Sequence, residues 1–150
     1  MNPTQLSLGK YEIYGLRDGF FHLDGGAMFG VVPKALWSKK CKADSENRIK
    51  MGLNSLLVKT PEALILIETG AGAYLKKQFY DYYCIKRDPD LLSGLKKLNI
   101  GVEEIDFVIN THLHFDHCGG NTRKNDKGEF IPAFPEAKYI IQKGEWQGAK

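Results

Sequence analysis

Apolar positions in this chain fall into short runs rather than long stripes, and most of the runs have the period or length of β-strands. Tyr11 to Arg17 and Phe20 to Leu23 read as two strands broken at Asp18-Gly19, in the manner of an Asp-Gly hairpin turn. Asp24-Gly25-Gly26 ends that unit, Ala27 to Val32 crosses as a loop, and Pro33 suits the first turn of a short helix around Lys34 to Ser38. Lys39 to Asn47 is a charged connector. Met51 to Val58 and Ala63 to Ile67 form the clearest strand pair, and the second is apolar without alternation, which predicts burial on both faces. Leu91, Leu92, Leu95 and Leu98 recur at helical spacing over Asp90 to Leu98, with Lys96 and Lys97 late in the helix and Asn99 as its terminator. Asp106 to Asn110 is a strand, a polar loop with a Lys127-Gly128 turn follows, and Tyr139 to Gln142 is a further strand. Gly144 to Lys150 reads as the opening turns of a helix.

Composition narrows the class without naming an activity. With 150 residues, 43% apolar and 26% charged, the chain has the balance of an ordinary soluble domain. Its net charge of +3 is spread over mixed-sign segments, too weak a bias for nucleic acid or an anionic membrane surface. The polar start, Met1 to Gln5, leads into no signal-peptide core, and no apolar stretch approaches a membrane span. Cys41, Cys84 and Cys118 are odd in number and irregular in spacing, so they read as free thiols of a reducing compartment. A cytoplasmic location is expected.

Candidate chemistry concentrates in one place. His112-Leu113-His114-Phe115-Asp116-His117 gathers three of the four histidines and an aspartate directly after an apolar strand. Residues two apart on an extended segment share a face, so His112 and His114 point one way. A turn after them would bring Asp116 and His117 to a neighbouring side of the same cavity. Imidazole and carboxylate are ligands of zinc and similar divalent ions.

The string Thr111 to Gly120 resembles the signature of the metallo-β-lactamase-fold hydrolase superfamily. Leu64-Ile65-Leu66-Ile67-Glu68-Thr69-Gly70 is similar to that superfamily's strand ending in an acidic residue, Thr and Gly. Leu98 to Asn110 resembles the lead-in to its histidine loop, and Ile140 to Trp146 the strand and helix start after it. Within the superfamily the combination is most similar to the lactonase-like branch, which includes N-acyl-homoserine lactonases. The resemblance implies an α+β fold, the αββα four-layer sandwich, of which residues 1–150 would be the N-terminal part of a single domain with the C-terminal half absent. It implies that His112 and His114 ligate one metal, and Asp116 and His117 a second. The expected cofactors are two divalent ions, zinc first, with iron or manganese as alternatives. Asp116 is also the catalytic candidate, orienting a metal-bound hydroxide that attacks a small-molecule ester or lactone. Glu68 stands where the family commonly has Asp and is expected to support a histidine ring.

Met28 and Phe29, with Trp37, are candidate pocket or interface residues, and Phe115 inside the cluster joins them. Cys118 reads as a packed thiol. After His117 no histidine remains, so the chain alone offers two donors per metal. The strand-rich pattern has one convincing amphipathic helix to cover several apolar strands. That shortfall predicts apolar surface completed elsewhere, by the rest of a larger domain, by a complementing chain or in a homodimer. The second reading is a non-catalytic metal-binding or interaction module completed by another chain.

Overall fold

Asp18-Gly19 does not turn the chain back. In the computed structural model, which describes residues 3–150, a first strand β1 (Thr4–Leu8) pairs with one long strand, β2 (Tyr11–Asp24). The Asp-Gly pair forms a bulge between Arg17 and Phe20 within β2. Gly19 adopts φ +108°, so the positive-φ preference that suggested a hairpin serves a bulge instead. The expected loop after β2 contains a short helix, α1 (Gly25–Phe29), capped by the Asp24 carboxylate, which accepts from Ala27 N at 2.9 Å. α2 (Lys34–Trp37) follows Pro33 as predicted.

β3 (Arg48–Lys59) and β4 (Leu64–Ile67) continue the antiparallel sheet. A short helix α3 (Lys77–Tyr82) and the predicted amphipathic helix α4 (Leu91–Lys97) then cross to β5 (Phe107–Asn110). Asp90 caps α4 by accepting from Ser93 N at 2.8 Å. Beyond β5 lie α5 (Phe115–Cys118), a ribbon of β6 (Thr122–Lys124) and β7 (Phe130–Pro132), β8 (Lys138–Ile141) and α6 (Lys143–Gly148). The main sheet has the order β1-β2-β3-β4-β5-β8, with β4, β5 and β8 parallel. No helix among the described residues is long and apolar enough to cross a membrane.

The register separates two faces. Leu16, Leu57, Leu66 and Val108 point to one side and are buried with Leu91 and Leu95 of α4, Ile105, Ala133 and Phe134. Each buried Leu, Ile, Val or Phe side chain among them contributes about 1.5–3 kcal/mol relative to exposure. Ile13, Leu56, Val58, Ile65, Ile67, Phe107, Ile109 and Ile140 share the opposite side, and none is buried. Leu56 and Ile140 are 45% and 47% exposed. The predicted two-sided burial of Ala63 to Ile67 is therefore one-sided: Leu66 is enclosed, whereas Ile65 and Ile67 lie on the open face. The observed α+β arrangement is a six-stranded sheet with α4 packed on its buried face, beside the two-stranded β6–β7 ribbon.

The bulge turns Asp18 into the interior, where it is 0% exposed. Its Oδ1 accepts from Arg87 Nη2 at 2.7 Å and from Leu91 N at 3.1 Å, and its Oδ2 accepts from Gly72 N at 3.2 Å. One carboxylate thus ties β2 to the start of α4 and to the loop after β4. Burial works against the Arg87 charge, but the hydrogen-bonded Asp18 outweighs it and holds the guanidinium above its ordinary pKa. Asp18→Ala removes the hydrogen-bonded partner of the half-buried Arg87 cation and leaves the Leu91 and Gly72 amides without their acceptor, and should cost about 3 kcal/mol. Urea denaturation measures this, and a loss under about 1 kcal/mol, the scale of an exposed pair, would contradict it.

Candidate metal centre

Parallel pairing of β4 with β5 brings their C-terminal ends to one edge, so Glu68-Thr69 lies beside Asn110-Thr111. Glu68 N donates to Ile109 O at 2.9 Å, and the Glu68 carboxylate Oε1 accepts from Thr111 N at 2.8 Å. Glu68 holds φ +65°, a left-handed conformation that a non-glycine residue adopts at a cost. The far end of the histidine loop is held as firmly. His117 O accepts from Thr69 N at 2.8 Å and from Asn110 Nδ2 at 3.3 Å, and Asn121 Nδ2 donates to Asn110 Oδ1 at 2.7 Å. Thr69 and Asn110 are 1% and 2% exposed. Backbones also meet closely here: a Cβ on Gly72 would strike Gly119 O, one on Gly119 would strike Ala71 O, and one on Gly120 would strike Thr69 O.

Within this frame the structure brings the predicted donors into one patch. His112 Nε2 lies 3.1 Å from His114 Nδ1, and the His112 and His117 rings are 4.0 Å apart. His117 Nε2 lies 3.4 Å from Asp116 Oδ2, while its Nδ1 lies 3.1 Å from Glu68 Oε2. That last approach has ion-pair distance without hydrogen-bond alignment, so Glu68 Oε2 is a buried acceptor with no hydrogen-bond donor. A proton on His117 Nδ1 faces Glu68 and leaves the Nε2 lone pair beside Asp116. Three imidazoles and a carboxylate are the donor chemistry of a divalent transition-metal ion. The arrangement is open rather than a cage: among the described residues, no group of three or more His, Cys, Asp or Glu is arranged to enclose an ion.

Residues 50–123 match the Metallo-beta-lactamase superfamily. A probable metal-dependent hydrolase from Staphylococcus aureus superposes with TM-score 0.86 at 33% identity, over 95% of this chain and 50% of that one. The chain belongs to the metallo-β-lactamase superfamily. An N-acyl homoserine lactonase from Bacillus cereus is 26% identical over 116 residues, which is 69% of this chain and 42% of that protein. AidC, a dizinc quorum-quenching lactonase in complex with a product, N-hexnoyl-L-homoserine, superposes with TM-score 0.72 at 27% identity, over 97% of this chain and 46% of that one. The chain thus spans half or less of the length of each of these three relatives.

For a member of this superfamily, the candidate pocket residues divide between two places. Phe115, between the donors, packs against Phe21, Phe79 and Tyr83, with ring centroids 6.1, 5.8 and 4.8 Å away. A depression lined by Gln78, Phe79, Tyr82 and Tyr83 opens beside that aromatic group. Phe29 instead stacks on Trp37 at 4.9 Å, and Met28 is 42% exposed on α1. Sequence reasoning missed Thr69 as a loop anchor, Asn110, Asn121 and Glu145, whose Oε2 accepts from Leu113 N at 3.0 Å. Asn110 carried a signal, a polar residue closing an apolar strand; Glu145 carried none.

All three cysteines are free. Cys118, next to the cluster, has its thiol pushed above the ordinary range, first by burial and then by the Glu68 and Asp116 carboxylates. A raised pKa leaves the unreactive thiol at neutral pH. Iodoacetamide at pH 7.5 should therefore alkylate Cys118 more slowly than glutathione, as followed by peptide mass spectrometry; labelling at the glutathione rate would contradict this.

Proposed function

We propose that residues 1–150 are the first half of a metallo-hydrolase that opens an ester or lactone of the N-acyl homoserine lactone class. The observation that carries the reading is the juxtaposition of His112 with His114, and of His117 with Asp116, in one patch whose backbone is tied down at both ends. The lactone class is supported by the Bacillus cereus and AidC lactonases, both relatives at low identity. The open apolar face of the sheet supports a second sheet and its helices as the remaining half, bringing further ligands.

In this reading His112 and His114 hold one divalent ion and Asp116 and His117 another, zinc first, with iron or manganese as alternatives. Bound ions supply Lewis acidity, polarising a carbonyl and bringing a bound water to a pKa near 7. The Glu68 carboxylate, 3.1 Å from His117 Nδ1, favours a proton on that nitrogen by its charge, which leaves the Nε2 lone pair to ligate. Asp116 orients the attacking water through its carboxylate. Phe115, Phe79 and Tyr83 present an apolar wall that excludes bulk water and accepts the apolar part of a substrate.

Two donors for each ion fall short of the three or four protein ligands zinc ordinarily takes. The 150-residue chain should therefore bind zinc weakly and turn over no lactone. Equilibrium dialysis checks the first point, and tight binding of two ions per chain would contradict it. A chimera joining this chain to the second half of the Staphylococcus aureus hydrolase should hydrolyse N-hexanoyl homoserine lactone. Asp116→Asn should lower its kcat/KM by about 100-fold or more. A folded, zinc-loaded chimera without lactonase activity would overturn the substrate class.

A further inference from the structure

The amides that flank His112 in sequence are both held by carboxylates, and the two come from different elements. Thr111 N donates to Glu68 Oε1 at 2.8 Å, and Leu113 N donates to Glu145 Oε2 at 3.0 Å. Glu145 reaches back from α6, 32 residues further along the chain. The Leu113 amide belongs to the peptide that links His112 to Leu113, within the segment that carries His112 and His114. Its orientation bears on whether His112 Nε2 and His114 Nδ1 meet at 3.1 Å. An ionised acceptor makes this a stronger restraint than a neutral one would be.

Glu145 is not acting through core packing. α6 buries no residue, and Trp146 beside it is 52% exposed. We infer that Glu145 is a positioning residue, a carboxylate on α6 that sets the His112–His114 pair for a cation by fixing the peptide between them. The inference rests on the metal reading proposed above and adds to it a residue outside the donor cluster. It also gives α6 a role: the helix carries a support for the metal loop.

Cobalt(II) titration of the 150-residue chain, read by visible absorption, tests this alongside hydrogen exchange at the Leu113 amide. Glu145→Ala should weaken cobalt binding by about 10-fold or more, the scale on which supporting groups tune metal sites. It should also speed Leu113 exchange while leaving the melting temperature of the metal-free chain unchanged. Glu145→Gln keeps an acceptor oxygen and should restore both binding and protection. Cobalt binding unaltered by Glu145→Ala overturns the inference alone, as does a Gln variant as weak as the Ala variant. No cobalt binding by the unaltered chain even at millimolar cobalt, where the weak binding expected of two donors per ion still registers, overturns the metal reading and the inference with it.

Discussion

Where the chain leaves β5, its backbone leaves the sheet ladder, and its polar groups must find partners elsewhere. That constraint organises the candidate centre. Side chains from three other places meet it: Glu68 and Thr69 at the end of β4, Asn110 at the end of β5, and Glu145 on α6. Each holds a main-chain atom of the histidine loop, and of these the Glu68 carboxylate also lies beside a donor ring, 3.1 Å from His117 Nδ1. The donors converge because their backbone is held, which lets four exposed or half-buried side chains sit in one patch without a hydrophobic core of their own.

The fold supplies that scaffold through parallel pairing and close backbone approach. β4 and β5 end together, so a carboxylate at the end of one reaches an amide at the end of the other. Three glycines, Gly72, Gly119 and Gly120, let the loops after the two strands touch main chain to main chain. Asp18 anchors the loop after β4 from the far side by accepting from Gly72 N. The left-handed backbone at Glu68 costs about 1–3 kcal/mol, and its two-sided hydrogen bonding through N and Oε1 holds it there.

Much of this was legible because it is local. The strands from Met51, Ala63, Asp106 and Tyr139 and the helix from Asp90 emerge close to their expected positions, since each has a clear period or a capping residue. The donor cluster was visible as chemistry at short spacing. Misreadings arose where local chemistry serves two ends. Asp18-Gly19 has the residues of a tight turn, but the same freedom makes a bulge. An apolar run such as Leu64 to Ile67 does not tell one buried face from two. β1, with every residue exposed, has no core pattern to read, and the three-residue strands β6 and β7 are too short for one. α3 is rich in aromatic residues of modest helix propensity. Glu145 could not be seen at all, because its partner is 32 residues away.

His112, His114, Asp116 and His117 must share a focus that a cation can occupy, whereas the fourth histidine, His22, belongs to β2 and not to the histidine loop. Zinc titration followed by nitrogen-15 NMR of the imidazole rings examines this side chain by side chain. The ring nitrogens of His112, His114 and His117 should shift together while those of His22 stay fixed. Equal shifts at all four histidines, or none at the three, would contradict it.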